Sequence, residues 1–221
     1  MAAARYTRNV YTPKHFEETN VGLLHGVMRA HPFGALVTLT PDGLHANHIP
    51  FLVYADPSPF GTLHGHVARA NPLWRDARTD SEALAIFQGE DRYISPSWYP
   101  SKQETRKVVP TWNYVVVHAH GQLRFIDDPS WVRPHLEALT REHESSREAP
   151  WSINDAPPEY VDAMIEQIVG VEMPIARLQG KWKVSQNRSE RDRRGVIEGL
   201  THEGTPSALT MADLVRKTLG R

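Results

Sequence analysis

The stretch VVPTWNYVVVHAHGQLRF, residues 108–125, decides the fold. From Tyr114 to Phe125 it predicts a β-strand: three consecutive valines, then His118 and His120 alternating with Ala119, then Gly121 and further residues with strand preference. Burial accounts for the valines. It does not account for Pro110, Trp112 and Asn113, because a large aromatic and a side-chain amide at a strand mouth serve where something planar and polar is gripped.

Outward from this strand, the chain carries more of the same kind. GALVTLTPDGLHANHIPFLVY predicts a hairpin, with Pro41 presetting the turn and Gly43 accepting positive φ. GTLHGHVA predicts a third strand, followed by RANPLW, where Asn71 caps a short helix and Pro72 takes its first position. EALAIFQG and DRYIS read as two short strands, PSWYPSKQETRKVVP as a long irregular connection, and GVEMPIARLQGKWKVSQN as a further strand. Helices are expected from about Pro13 to Ala30, in DDPSWVRPHLEALTREHE behind Asp128, in PPEYVDAMIEQIV on a Tyr160, Met164, Ile168 face, in SERDRRGVIEGL, and in SALTMADLVRKTLG. The expected fold is mainly β with α: an antiparallel split β-barrel with flanking helices, in one domain.

Composition narrows the function. The 221 residues contain no Cys, which removes thiolate nucleophiles, thiolate metal sites and dithiols, and fits a reducing cytoplasm. No apolar run is long enough to span a bilayer, and MAAARYTRNVYTPKHF lacks the apolar core of a signal peptide, so a cytoplasmic protein with no membrane partner is expected. With 25 Lys+Arg against 26 Asp+Glu, the chain has no whole-molecule footprint for nucleic acid. The 12 histidines include two H-x-H pairs, His64/His66 and His118/His120, each on one strand face as a chelating pair would be. No carboxylate adjoins either pair, so hydrogen-bonding core histidines are the better reading and no metal is assigned. Nucleophile elbows, phosphate loops and dinucleotide glycine fingerprints are missing, and no catalytic residue is assigned.

Three segments interrupt apolar strands with polar, cationic and aromatic residues: ANHIPFLV, LHGHVARANPLW and QGKWKVSQNRSERDRRG. Each has a plain reading as a turn, a capped helix or a solvated basic face. Together they supply a cation and donors for a phosphate, amides and imidazoles for a ring edge, and an aromatic wall for a ring face. These blocks, with HPFGALVT, YISPSWYPSK and VPTWNYVVVHAHG, resemble the PaiB-type FMN-binding negative transcriptional regulators from about Tyr11 to Leu200.

That resemblance implies the split barrel shared with pyridoxamine-phosphate oxidases and flavin reductases, with residues 1–200 as the FMN-binding domain and 201–221 as a C-terminal helical tail. It implies a homodimer with FMN in clefts at the interface. His48, Ile49, Pro50 and Phe51 would pass the isoalloxazine edge, with Ile49 and Phe51 acting through their backbone. Arg69, with His64, His66 and Asn71, would grip phosphate and ribityl; Trp112 and Asn113 would approach the flavin, and Lys181 and Gln186 would sit at its rim. The implied function is an FMN-binding negative transcriptional regulator. The alternative is a flavin-dependent oxidoreductase or a haem-processing enzyme on the same barrel; DNA binding has no support in charge or motif.

Overall fold

The computed structural model describes residues 10–220; the opening of the MAAARYTRNVYTPKHF block lies outside the described residues. Nine strands are found among them: β1 (Glu17–Glu18), β2 (Phe33–Thr40), β3 (Gly43–Pro50), β4 (Leu52–Tyr54), β5 (Thr62–Ala68), β6 (Ala83–Ile94), β7 (Thr111–Gly121), β8 (Arg124–Ile126) and β9 (Ile168–Lys183). Seven α-helices accompany them: α1 (Val21–Ala30), α2 (Leu73–Asp76), α3 (Ser101–Thr105), α4 (Pro129–Glu144), α5 (Pro158–Ile165), α6 (Glu190–Glu203) and α7 (Pro206–Arg216). The hydrogen-bonded strand order is β3-β2-β6-β7-β9-β5-β4, with β1 and β8 also on β9. The expected antiparallel α+β class is what the chain adopts.

Period-two burial explains β7. Asn113, Val115, Val117 and Ala119 are buried, whereas Trp112, Tyr114, Val116 and His118 are not. The β2–β3 hairpin closes as expected, with Thr40 opposite Gly43 and Gly43 at φ 115, which a side chain would resist. Asp128 caps α4 through its carboxylate, which accepts from Ser130 N at 2.8 Å.

Four local expectations fail for identifiable reasons. The first helix starts at Val21, because the Glu18 carboxylate accepts from Thr19 N and Asn20 N and ends β1 in a tight turn. The two short strands of residues 82–95 are one strand, β6. The long connection after it holds α3. In α5 the buried face is Val161 and Ile165, while Tyr160 and Met164 are exposed and Ile168 already belongs to β9.

The chain divides into two compact units. A hairpin unit takes Val21–Phe87 and Val117–Leu178; a terminal unit takes residues up to Asn20, Gln88–Val116 and residues from Gln179 on. The hairpin unit is built around Leu36, Phe51, Leu63, Phe87, Val171 and Met173, all essentially inaccessible, each such burial stabilising by about 1.5–3 kcal/mol. The terminal unit centres on Ile94, Tyr99, Val196, Leu200 and Met211. Residues beyond 200 complete α6 and form α7, and Arg193 donates back to Thr218 Oγ1 at 3.0 Å.

Candidate functional site

In the hairpin unit, β2 sits between β3 and β6, and residues directly opposite share a face. One face is core. The other pairs Val37 with Ala46 and Leu84, Ala35 with His48 and Ile86, and Leu39 with Leu44. It is therefore apolar as well, with Phe33 67% and Leu44 75% exposed. A sheet that meets water on one face normally alternates apolar with polar residues; this one does not.

At its rim, β3 and the turn after β5 enclose a groove of about 770 Å³ lined by Leu44, His45, Ala46, Asn47 and residues 70–73 with Asp76. Asn71 shapes it: its amide donates to Asn47 Oδ1 at 2.9 Å while its Oδ1 accepts from Leu73 N at 2.9 Å. Asn71 is thereby fixed beside β3, apart from the Arg69, His64 and His66 side chains with which the sequence grouped it. His45 and Asn47 were passed over, although they are in phase with buried Ile49 and so on the groove side. His48 is out of phase and lies on the outer face, its ring 5.8 Å from Phe33. Pro50 shares that phase, opposite Phe33. Ile49 and Phe51 are 2% and 1% exposed, their side chains packed against Gly65 in the core, and Phe51 N donates to Pro32 O at 2.9 Å.

Arg69 precedes the groove turn, but its guanidinium meets Asp127 in a two-pronged pair, Nη1 to Oδ2 at 2.8 Å and Nη2 to Oδ1 at 2.5 Å. Its Nε donates to Glu166 O. The hydrogen bonds from Arg69 hold the Asp127 carboxyl below the usual range.

His64 and His66 face α4 instead. His66 Nδ1 and His135 Nε2 share a hydrogen bond at 3.2 Å, and the His135 ring stacks on Trp131 at 5.3 Å. His64 lies 4.9 Å from Trp131 and 4.5 Å from Tyr54, with Nε2 3.4 Å from Glu172 Oε2. Burial pushes all three imidazoles towards the neutral form, His135 to about 3, further lowered by His66 and His64; Glu172 partly offsets the effect at His64. Among the described residues no group of three or more His, Cys, Asp or Glu is arranged to hold a metal ion.

The terminal unit answers for Trp112 and Asn113. Asn113 is 1% exposed and its amide donates to Ser185 Oγ at 2.9 Å, bracing a loop in which Ser185 stands at φ 66. Trp112 is 54% exposed, its ring edge-on to Tyr93. Lys183 Nζ donates to Trp112 O at 2.7 Å and to Thr111 Oγ1. Lys181 Nζ reaches Tyr11 O at 3.0 Å and lies 5.4 Å from the Tyr114 ring centre. Gln186 closes on its own loop, accepting from Val184 N and donating to Trp182 O.

The twelve residues marked by the sequence thus separate: His48 and Pro50 on the outer sheet face, Ile49 and Phe51 in the core, Asn71 at the groove rim, Arg69 on Asp127, His64 and His66 in the cluster with His135, and Trp112, Asn113, Lys181 and Gln186 in the terminal unit.

Residues 10–177 match the family described as "Putative FMN-binding domain". A Bacillus subtilis relative, "Protease synthase and sporulation protein PAI 2", is 32% identical over 210 residues, covering 95% of this chain and 98% of its own. "Uncharacterized protein AN0679" of Emericella nidulans is 33% identical over 235 residues, covering 90% and 94%. Among solved structures, Rv2991 of Mycobacterium tuberculosis superposes with TM-score 0.57 at 13% identity, over 82% of this chain and 95% of that one. The FAD and heme binding protein of Mycobacterium smegmatis gives 0.55 at 15% identity, over 76% and 73%. Together with the antiparallel strand order and the outer helices, these likenesses establish that the chain belongs to the PaiB-type family of FMN-binding split-barrel proteins.

Proposed function

We propose that the chain works as a homodimeric flavoprotein that holds FMN in the groove beside β3 and serves a regulatory role. The observation that carries this is the one-sided groove at the rim of a sheet with two apolar faces. Its volume lies within the range of small-molecule sites, Ala70 and Pro72 offer apolar surface, and the Asn47 and Asn71 amides and His45 offer a polar edge. That donor set fits a planar, polar-rimmed ring. A second copy laid on Phe33, Val37, Leu44, Leu84 and Ile86 would cover the outer face and close the groove. Arg69 is the cation beside it. Its pair with Asp127 is solvent-exposed, where solvent screening leaves such pairs weak, so a phosphate can displace the carboxylate at little cost.

FMN, when bound, supplies hydride and electron chemistry; the chain supplies binding, orientation and exclusion of water. The regulatory role follows the Bacillus relative, named for protease synthesis and sporulation. Duplex contact through the basic run of α6 has little support, because Arg191 pairs with Glu104, Arg194 with Glu190, and Arg193 with Thr218. The oxidoreductase reading is favoured by one feature, the uncompensated cations near Trp112, which suit an anionic second molecule.

The test uses purified holoprotein, expected to be yellow, with one flavin per chain, and to sediment as a dimer. Arg69→Ala is expected to weaken FMN about 10- to 100-fold, the loss of a charge-assisted phosphate contact of about 1.5–3 kcal/mol, with melting almost unchanged. Undiminished flavin retention in that variant removes Arg69 from the site, and a colourless monomer that refuses added FMN removes the whole reading. Anaerobic NADH or NADPH separates the roles: rapid bleaching of the flavin favours the oxidoreductase, and salt-sensitive DNA retention without bleaching favours the regulator.

A further inference from the structure

Lys181, Lys183 and Arg188 converge in the terminal unit. Lys181 and Lys183 are two apart on β9 and so share a face, at 5.4 and 5.9 Å from the centre of the Tyr114 ring. Arg188 lies 4.9 Å above the Tyr99 ring. Among the described residues none of the three forms an ion pair; Glu17, opposite Lys181 in the β1–β9 register, does not pair with it. The Tyr99 ring is only 2% exposed, and its hydroxyl interacts with the Arg188 guanidinium while burial raises its pKa. Burial, then Lys181 and Arg188, press the Lys183 ammonium towards losing its proton. The Asp192 carboxylate, held by Ser101, also acts on Tyr99, but none of the three cations pairs with it; cations held together without an ion-pair partner raise the local potential and are relieved by an arriving anion.

The surroundings say what kind of anion. Lys183 Nζ is fixed by Trp112 O and Thr111 Oγ1, which ties the cation to the backbone of the exposed indole. The Trp112 and Tyr93 rings stand edge to face at 6.0 Å, offering an aromatic wall beside the charges. The family match covers residues 10–177, which includes Trp112 and stops within β9, short of the three cations. We propose that Lys181, Lys183 and Arg188, with Trp112 as the wall, bind a phosphate-bearing aromatic small molecule other than the resident flavin. Lys181 then serves this second ligand rather than the FMN rim. Such a molecule is what a flavoprotein would need as electron donor or as effector, so the site deepens the oxidoreductase reading without depending on it.

The experiment titrates holoprotein with phenyl phosphate and follows the indole N–H resonances, that of Trp112 being assigned with Trp112→Phe. The expected result is a saturable shift at Trp112, tighter for phenyl phosphate than for inorganic phosphate. Lys183→Gln, which keeps a donor for Trp112 O, and Arg188→Gln should each weaken binding about tenfold or more, with flavin content unchanged. A Trp112 resonance that does not move, or a shift that survives both substitutions, overturns the site. Equal affinity for the two probes overturns the aromatic part. Loss of FMN in step with loss of phenyl phosphate assigns the cluster to the flavin's own phosphate and overturns the second ligand, while Arg69→Ala tests the groove separately.

Discussion

The histidine cluster under α4 and the cationic cluster around Tyr114 both set titratable groups against aromatic rings, and they resolve the charge in opposite ways. His64, His66 and His135 shed it: burial holds them neutral, and two of them share a hydrogen bond beneath Trp131. Lys181, Lys183 and Arg188 lie half-buried and form no ion pair among the described residues. A group that can become neutral near physiological pH serves as packing; one that cannot must stay open to a counter-charge. The first cluster closes on itself apart from His135 Nδ1, which is buried without a hydrogen bond, and the second is complete only with a ligand.

Acid should break the first cluster and spare the second, and this is the largest effect expected. His135 binds its proton at about 3 in the folded chain against about 6.5 when unfolded, so the unfolded chain takes up protons first as pH falls. The contribution of the neutral ring is intact above about pH 6.5 and is lost progressively below it, until His135 itself titrates. By pH 5 that loss is roughly 2 kcal/mol from His135 alone, at about 1.4 kcal/mol per pH unit. His66 and His64 shift in the same direction. Glu172, with Arg124 behind it, faces His64 and moderates the effect there. Urea midpoints at pH 7 and pH 5 measure it, and His135→Phe should remove its steepest part. An unchanged pH slope in that variant would mean that the cluster opens to water.

The same contrast explains what could be read from the residues beforehand. Local features were legible: period-two burial in β7, the hairpin turn at Gly43 and the Asp128 cap all depend on neighbours within a few residues, whereas α2 starts one residue later than expected, with Pro72 rather than Asn71 as its N-cap. Partners far along the chain were not. Arg69 finds Asp127, His66 finds His135 and Asn113 finds Ser185, and nothing within any of those segments announces the other. The two faces of β3 follow from its register with β2: buried Ile49 puts Asn47 and His45 on the groove side and His48 outside. β6 runs unbroken through Gly89, where the strands approach closely: a Cβ there would stand 3.3 Å from Val115.

Steric filling offers a second, smaller way to separate the clusters. Gly170 lies opposite His66 on β9, and a Cβ built on it would stand 2.4 Å from Trp131 Cζ3. Gly170→Ala should therefore displace Trp131 from its stack on His135 and cost about 1–3 kcal/mol, as overpacking does. Chemical denaturation gives the cost, and the near-ultraviolet signal of Trp131 reports the displacement. A neutral substitution would show that the cluster has slack, which removes the reason its histidines are held neutral.

The smallest effect belongs to the open cluster. Lys181→Gln removes one surface hydrogen bond to Tyr11 O and relieves a like charge beside Lys183. Surface contacts of this kind are worth little, and the two changes oppose one another, so stability should stay within about 0.5 kcal/mol of the parent. The Lys183 ammonium should at the same time move back towards its ordinary pKa, because Lys181 is the larger of the two like charges acting on it; a carbon-detected titration of the lysine side chains reads this directly. A loss above 1 kcal/mol would make Lys181 a packing residue like the histidines. The cationic mouth would then be a finished piece of structure rather than half of a binding site.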